Sequence, residues 1–282
     1  MPSDSHFVST EWLAAHLGAP NLVIVDGSWH LPTAGRNAHE EYRQSHIPGA
    51  VFFDLDAISD VSSPLPHMLP SEILFSGAME SLGIGRLMKI VVYDTEGLFS
   101  APRVWWTLRA FGAIDVVILD GGFPKWLAEG RPVEAGNGTH LPSHFEAKLD
   151  HSWVAGMEDV AKAIASGTAQ VLDARPPARF RGDTPEPRAG VRAGHIPGAH
   201  NLPASQLVQD GRLVDPPAIR AALAAAGIDP GRPTITSCGS GVTAAILWLA
   251  LTTIGAQPKA LYDGSWTEWG ASDKPIATGP AS

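Results

Sequence analysis

The chain has 282 residues, of which 44% are hydrophobic and 17% are charged, and its formal net charge is −9. This composition is typical of an ordinary soluble globular protein, and the length suits two domains better than one. The acidic balance disfavours a general nucleic-acid partner or an anionic membrane surface, since both need a basic face.

The start of the chain, MPSDSHFVST, has neither a basic segment nor an apolar one, so we expect no signal peptide. The longest apolar stretch, AAILWLALTTIGA, is too short to span a bilayer, so no membrane partner is expected. A single cysteine, Cys238, excludes an internal disulfide and a cysteine-rich zinc site. These features predict a cytoplasmic protein.

Short apolar runs alternate with helix-length segments along the chain. In the first half the predicted strands are LVIVD (22–26), AVFFD (50–54), KIVVYD (89–94) and VVILD (116–120). In the second half they are QVLD (170–173), AHNLP (199–203), TITS (234–237) and KALYD (259–263). Amphipathic stretches such as 71–84 and 216–228 lie between them. The pattern predicts an α/β fold, with mostly parallel sheets covered by helices on both faces.

The two halves repeat each other. RQSHIPGAVFFDL (43–55) is echoed by RAGHIPGAHNLPA (192–204), and the spacing of Asp120, Trp126 and Pro132 returns in Asp263, Trp269 and Pro275. The offset of 143 to 149 residues is too long for a solenoid and indicates two duplicated domains. We place them at 1–138 and 153–282, with a linker at 139–152.

Cys238 lies between the predicted strand 234–237 and an apolar helix, within the small-residue loop CGSGVTA. Without bulky side chains, backbone N–H groups can turn inward and form an anion-binding nest, and the helix beginning near Thr243 adds a positive dipole end. Both favour a nucleophilic thiolate. A lone cysteine is more often a small buried hydrophobe, but this loop at a strand end favours function.

Five arginines lie between residues 173 and 195: Arg175, Arg179, Arg181, Arg188 and Arg192. Arginine suits bidentate capture of a carboxylate or sulfo group. The cluster follows a strand end on the same predicted sheet edge as Cys238, which favours anion binding. For any single arginine, pairing with its acidic neighbours is an equal alternative.

Where the second half has Cys238, the first half has Asp94. A carboxylate cannot do the chemistry of a thiolate, so we expect the first domain to be catalytically inert and to wall the cleft. The histidines of the two HIPGA motifs, His46 and His195, occur in both halves, and we interpret them as structural, with the imidazole bonded to backbone. The tryptophans are expected in the core, although Trp266 and Trp269 could border the cleft.

These repeats, the strand-end aspartates and the single cysteine loop resemble the tandem-domain rhodanese sulfurtransferases over almost the whole chain. The uncharged CGSGVTA loop resembles that of members that use 3-mercaptopyruvate rather than thiosulfate. The resemblance implies that Cys238 receives sulfur as a persulfide, releases pyruvate and passes the sulfur to cyanide, a thiol or a thioredoxin-like reductant. No cofactor or metal is implied.

The resemblance also implies roles for particular residues. Arg179 and Arg188 of the motif RFRG…PEPR are expected to bind the substrate carboxylate and carbonyl, and the rest of the cysteine loop to surround the sulfur. That loop contains Gly239, Gly241, Val242 and Thr243. A relay of Ser240, His67 and Asp56 is a further possibility; the last two lie in the first half of the sequence, so this site would need both domains.

Three alternatives stay open. A thiosulfate sulfurtransferase could use the same scaffold with another donor. A cysteine phosphatase would need arginine six positions after the cysteine, where this chain has Ala244. A non-enzymatic interaction or sulfur-sensing module fits the first half alone but leaves the cysteine loop of the second half without a purpose.

Overall fold

The computed structural model describes residues 6–138 and 141–281, which form two compact units. Unit 1 comprises Met1–Val61, Leu69–Asp150 and Asp210–Arg212, and unit 2 comprises Ser62–Met68, His151–Gln209 and Leu213–Ser282. The segment Ser62–Met68 therefore belongs to unit 2, although it lies within the first half of the sequence. Residues 139 and 140 of the predicted linker lie outside the described residues.

Unit 1 alternates strands and helices. Its strands are β1 (Phe7–Val8), β2 (Leu22–Asp26), β3 (Ala50–Phe52), β4 (Lys89–Tyr93) and β5 (Asp115–Leu119). Its helices are α1 (Thr10–Ala15), α2 (Ala38–Gln44), α3 (Glu72–Ser81), α4 (Ala101–Ala110) and α5 (Gly122–Ala128). Side-chain caps begin the first three helices, since Ser9, Asn37 and Ser71 each accept an N–H of the first turn.

The five strands of unit 1 form a parallel sheet in the order β1-β5-β4-β2-β3. Helices α1, α2 and α5 cover one face, where Leu13, Tyr42 and Trp126 pack with residues of the central strands. Helix α4 packs on β4 and β5, and it is buried along almost its whole length. With both faces covered, the strands are continuous apolar runs rather than alternating ones.

Unit 2 has the same plan. Its strands are β6 (Val154–Ala155), β7 (Gln170–Asp173), β8 (His200–Asn201), β9 (Val208–Gln209), β10 (Arg212–Leu213, of which Arg212 clusters with unit 1), β11 (Thr234–Ser237) and β12 (Ala260–Tyr262). Its helices are α6 (Met157–Ser166), α7 (Pro177–Arg181), α8 (Pro216–Ala225), α9 (Ala244–Thr253) and α10 (Ser265–Ala271). Strands β9 and β10 pair only with each other among the described strands.

The main sheet of unit 2 has the order β6-β12-β11-β7-β8, and all its pairs are parallel. Its order matches that of unit 1 strand for strand, which confirms the predicted α/β fold of two duplicated domains. Helices α6, α7 and α10 supply one side of the core, where Val160, Phe180 and Trp266 pack with the sheet. Helix α9, apolar throughout, packs on β11 and β12.

The repeated Trp and Pro residues have the same contact in both units. The Trp126 indole N–H donates to the Pro132 carbonyl oxygen at 2.8 Å, and the Trp269 indole N–H donates to that of Pro275 at 2.8 Å. Trp266 and Trp269 are buried in the core, as are most of the predicted core tryptophans. No helix within the described ranges is long and apolar enough to cross a membrane.

Candidate active site

Cys238 directly follows β11, the central strand of the unit 2 sheet. Strand β11 pairs with β7 so that Ser237 stands beside Asp173, which brings Cys238 to the carboxyl edge of the sheet. The cysteine is 2% exposed and its thiol is free. The predicted strand-end position is therefore the one that the structure has.

Helix α10 holds the backbone of the cysteine. The Trp266 N–H donates to the Cys238 carbonyl oxygen at 3.0 Å, and the Thr267 N–H donates to that of Gly239 at 2.9 Å. The Cys238 N–H donates to the Ser265 hydroxyl at 3.2 Å, and this hydroxyl donates to the Tyr262 carbonyl oxygen at 2.7 Å. Both backbone groups of the cysteine are thereby fixed.

The loop after Cys238 turns its amides away from the protein's own acceptors. Across residues 6–138 and 141–281, the amides of Gly239, Val242 and Thr243 donate to no protein atom. Val242 is buried, and Gly241 has the left-handed backbone that a tight turn needs, with φ of 80°. The loop begins α9, where Thr243 is the residue before the first helical turn. This arrangement suits an anion.

His67 and Ser240, both in unit 2, are brought together. The His67 Nδ1 lies 3.1 Å from the Ser240 hydroxyl oxygen and 3.3 Å from the Ser240 carbonyl oxygen. Both residues are buried. His67 has a left-handed backbone, with φ of 62°, which is uncommon outside glycine.

Two further predicted site residues, Asp56 and Arg188, lie outside the cysteine loop. Asp56 belongs to unit 1, where its carboxylate accepts the Trp29 indole N–H at 3.1 Å. Arg188 lies half-buried in the loop after α7. The relay of Ser240, His67 and Asp56 and the carboxylate-binding role of Arg188 stay predictions.

Arg179, on α7, reaches the cysteine loop. A Cβ atom on Gly239 would stand 3.1 Å from the Arg179 Nη2, so the guanidinium lies directly against the loop at this glycine. The guanidinium also donates to the carboxylate of Glu186, from Nε at 3.2 Å and from the same Nη2 at 2.5 Å. The structure thus places Arg179 against the residue following Cys238.

Three other arginines of the cluster have structural partners. Arg175 is fully buried between Asp173 and Glu186, Arg181 pairs with Asp183 at 2.7 Å, and Arg192 donates to the carbonyl oxygens of Gly270, Ser272 and Lys274. Arg175 and Arg181 therefore pair with acidic neighbours, whereas Arg192 is held by backbone carbonyl oxygens. Within the described chain, no group of three or more His, Cys, Asp or Glu side chains could hold a metal ion.

The matching corner of unit 1 is filled by Asp94. Its carboxylate accepts the amides of Phe99, Ser100 and Ala101 on one oxygen at 2.7 to 2.8 Å, and that of Glu96 on the other at 3.0 Å. The side chain is completely buried, and burial raises its pKa while the four amides oppose that rise. The backbone nest expected around Cys238 therefore exists in unit 1, with a carboxylate as its occupant.

The two motif histidines have the structural contacts that we expected. The His46 Nδ1 lies 2.7 Å from the Tyr42 carbonyl oxygen, and the His195 Nδ1 lies 2.8 Å from that of Phe180. Each precedes the turn that leads into an edge strand. Burial lowers the pKa of His195, which favours the neutral imidazole.

Two residues near Cys238 escaped the sequence interpretation. Ser265 has a left-handed backbone with φ of 50°, where unit 1 has Gly122 with φ of 55°. A serine replacing a glycine at matched positions of the repeat is the signal that could have revealed it. Glu186 stands between two arginines in PEPR, and a buried acid there could have been expected from the density of positive charge around it.

The comparisons with known proteins agree with this geometry. The model of the rhodanese-like domain matches the chain twice, at residues 9–129 and 156–272. The crystal structure of SseA from Escherichia coli, described as a 3-mercaptopyruvate sulfotransferase with the rhodanese fold, superposes with a TM-score of 0.86 at 44% identity, covering 93% of this chain and 99% of that one. The chain belongs to the rhodanese family.

Relatives of known activity indicate which reaction class within the rhodanese family this chain belongs to. The 3-mercaptopyruvate sulfurtransferase of Escherichia coli K12 is 46% identical over 277 residues, covering 97% of this chain and 98% of that protein. The thiosulfate sulfurtransferase of Cricetulus griseus is 41% identical over 270 residues, covering 93% and 91%. Within the rhodanese family, this chain is a sulfurtransferase.

Proposed function

We propose that this sulfurtransferase takes sulfur from 3-mercaptopyruvate, carries it on Cys238 as a persulfide and passes it to a thiophilic acceptor. The observation that carries the proposal is the loop after β11. There a nearly buried cysteine is followed by amides of Gly239, Val242 and Thr243 that, among the described residues, donate to no protein atom. Donors fixed in this way favour an anionic sulfur without having to reorganise.

The reaction has two steps. The Cys238 thiolate attacks the sulfur of 3-mercaptopyruvate, a sulfur–sulfur bond forms, and the carbon–sulfur bond breaks with its electron pair leaving on carbon. The resulting enolate takes up a proton and departs as pyruvate. The acceptor then attacks the outer sulfur, and the pair of the broken sulfur–sulfur bond returns to Cys238. With cyanide as acceptor the product is thiocyanate; a small thiol or a thioredoxin-type reductant would serve equally.

Arg179 is proposed to bind the donor's carboxylate, with Arg188 on the adjoining carbonyl. The contact of Arg179 with Gly239 supports the first role, because it places a guanidinium beside the residue that follows the nucleophile. The amides of Gly239, Gly241, Val242 and Thr243 are proposed to surround the transferred sulfur. The loop itself has no charged side chain, so donor recognition would come from these arginines.

A relay from Ser240 through His67 to Asp56 is proposed as the route for the proton. The distance of 3.1 Å between Nδ1 of His67 and the Ser240 hydroxyl supports its first link. Unit 1, with Asp94 at the cysteine position, is proposed to be catalytically inert. A lone cysteine that must stay reduced suits a reducing compartment such as the cytoplasm.

The test compares two donors with cyanide as acceptor. Thiocyanate formation is measured from 3-mercaptopyruvate and from thiosulfate, for the wild type and for Cys238→Ser. We expect a higher kcat/KM with 3-mercaptopyruvate and no turnover in the variant. Turnover that survives in Cys238→Ser would overturn the persulfide mechanism.

The second candidate donor is thiosulfate. The 41% identity with the Cricetulus griseus thiosulfate sulfurtransferase favours it, since the same scaffold supports that activity in a relative. A wild-type kcat/KM that is equal or higher with thiosulfate would replace the proposed donor and leave the role of Cys238 intact. Arg179→Ala separates these further: an unchanged kcat/KM with 3-mercaptopyruvate would show that another group binds the carboxylate.

A further inference from the structure

Glu186 joins two guanidinium groups with one buried carboxylate. Its Oε1 accepts from Arg175 Nη1 at 3.0 Å and from Arg179 Nε at 3.2 Å, while its Oε2 accepts from Arg179 Nη2 at 2.5 Å. The Glu186 side chain is 4% exposed. A carboxylate this buried and this heavily hydrogen-bonded has one available orientation.

Arg175 is the fixed end of this arrangement. It donates to both carboxylate oxygens of Asp173 and to the Gly194 carbonyl oxygen at 2.9 Å, and its guanidinium lies over the Trp266 ring, 4.5 Å from the centroid. The backbone N–H of Trp266 also donates to the Cys238 carbonyl oxygen. The position of Glu186 is therefore tied to the same helix that holds the cysteine.

Arg179 is the exposed end, with 20% of its side chain accessible. Glu186 occupies its Nε–Nη2 edge, and its Nη1 has no hydrogen-bond partner in the part of the chain that the structure describes. The edge formed by Nη1 and the second N–H of Nη2 remains for a ligand. Since Nη2 lies against Gly239, this edge borders the cysteine loop.

The charges of this network cancel. Asp173 and Glu186 carry one negative charge each, and Arg175 and Arg179 one positive charge each, so the formal sum is zero. A neutral network with one open guanidinium edge suits a planar, singly charged carboxylate, which matches the fork geometry. A doubly charged sulfo donor gains less electrostatic stabilisation there, because the positive charge of Arg179 also interacts with the carboxylate of Glu186.

Resting on the proposed function, we infer that Glu186 is a positioning residue that makes the site selective for a singly charged carboxylate donor over a doubly charged one. It does so by turning the open edge of Arg179 toward the loop and by neutralising the surplus positive charge. Glu186 itself need not touch the substrate.

The test is Glu186→Gln, which keeps the shape and removes the charge. The expected result is opposite in sign for the two donors: kcat/KM with 3-mercaptopyruvate falls roughly 10- to 100-fold because the guanidinium loses its fixed orientation, and kcat/KM with thiosulfate stays level or rises. A merely structural role would lower kcat/KM with both donors by a similar factor, and that outcome would overturn the inference.

Two further variants keep the result interpretable. Asp183→Asn removes an exposed carboxylate from the neighbouring pair with Arg181 on the same helix, so it is the matched control and should leave the donor ratio unchanged. In an Arg179→Ala background, Glu186→Gln should have no further effect on the ratio, since its influence passes through Arg179. An effect that persists there contradicts the inference.

If Glu186→Gln melts below the assay temperature, Arg179→Lys replaces it, because lysine keeps the charge but cannot be held by a carboxylate fork. The same shift of the ratio toward thiosulfate is expected, and an unchanged ratio would overturn the inference. The role of Glu186 is tested by how the variant changes the ratio of the two kcat/KM values relative to the wild type. The proposed donor is tested by the wild-type ratio alone. Either proposal can therefore be overturned without the other.

Discussion

The corners after β4 and after β11 have an equivalent backbone hydrogen bond to a later helix, and they differ in whether a side chain accepts from the amides of the loop. In unit 1 the Phe123 N–H donates to the Asp94 carbonyl oxygen at 3.0 Å, and in unit 2 the Trp266 N–H donates to that of Cys238 at 3.0 Å. Asp94 then accepts four amides of its own loop, whereas three amides of the Cys238 loop donate to no protein atom among the described residues. The Asp94 loop has these four amides bonded within the protein, and the Cys238 loop keeps three that we propose bind an anion.

The comparison teaches how one fold can be both stable and reactive. A filled nest stabilises its unit, because buried amides with a charged acceptor form strong hydrogen bonds. An unfilled nest gives up that stabilisation and gains a site for an anion. The loops differ in sequence and by one residue in length, DTEGLFSA (94–101) against CGSGVTA (238–244), and exchanging the first residue tests what its side chain contributes.

The largest effect is expected from Cys238→Asp, which gives the corner of unit 2 the occupant of unit 1. Turnover of 3-mercaptopyruvate should fall by at least about 10³-fold, because a carboxylate cannot form a persulfide. The fold should survive, since the loop amides can donate to the new carboxylate, and its melting temperature should be close to that of Cys238→Ala. A Cys238→Asp protein that unfolds while Cys238→Ala stays folded would show that this loop is not an anion nest.

Asp94→Ala should produce the largest loss of stability in unit 1. Four amides lose their acceptor in a buried place, which we expect to lower the free energy of unfolding by roughly 3–4 kcal/mol. Chemical denaturation measures this value. Asp94→Asn, which keeps one oxygen acceptor, is the control and should lose about half as much. Equal losses in the two variants would mean that the amides do not account for the effect.

Asp26→Asn tests a second difference between the units. Asp173 of unit 2 is paired with Arg175, but the matching Asp26 of unit 1 has Ser28 nearby instead, and its Oδ2 has no hydrogen-bond partner within the described structure. Burial raises the pKa of Asp26 from 3.8 to about 6. The folded state therefore holds this proton more tightly than the unfolded one.

The stabilising effect of that proton is present below pH 4 and is lost as the pH rises to about 6. A rise of the pKa from 3.8 to about 6 corresponds to about 3 kcal/mol, so Asp26→Asn should be more stable than the wild type by roughly 2–3 kcal/mol at pH 7 and nearly equal to it at pH 4. Denaturation midpoints across this range measure the difference. A constant difference at all pH values would contradict it.

The smallest effect is expected from Gly239→Ala. Its Cβ would stand 3.1 Å from Arg179 Nη2, so the guanidinium must shift by a few tenths of an ångström. We expect kcat/KM with 3-mercaptopyruvate to fall about 3- to 10-fold, by misplacement of Arg179. Gly77→Ala is the control, since nothing lies within 4 Å of its added Cβ, and it should leave kcat/KM unchanged. A normal kcat/KM in Gly239→Ala would mean that Arg179 need not lie against this glycine.

The sequence predicted the fold well because the repeats carry it. The two HIPGA motifs and the Trp–Pro spacing recur as equivalent contacts, and the strand position of Cys238 follows directly from the apolar run before it. The composition of Ser62–Met68 does not separate it from the surrounding first half, so its packing with unit 2 could not be predicted from the residues themselves, and His67 was placed with Ser240 only by the family resemblance. That packing is what brings His67 beside Ser240.

The site was less predictable than the fold, because it depends on how charges pair. Five arginines looked alike in the sequence, yet Arg175, Arg181 and Arg192 have structural partners and Arg179 lies against the cysteine loop. Which of them pairs with Glu186 depends on side-chain reach within the folded loop. Ser265 was missed for a different reason, since only its match with Gly122 in the repeat indicates a left-handed backbone, and a serine alone does not.

The backbone hydrogen bonds that fasten each corner to the helix after the next strand, α5 in unit 1 and α10 in unit 2, have a consequence for how such proteins diversify. Because those bonds use the main chain alone, the residue they secure can change without disturbing its own anchorage. In each corner the main chain is thus held in place while the side chain can vary. Duplication of such a unit supplies a second corner, in which other residues can replace the original one while the first copy keeps its function.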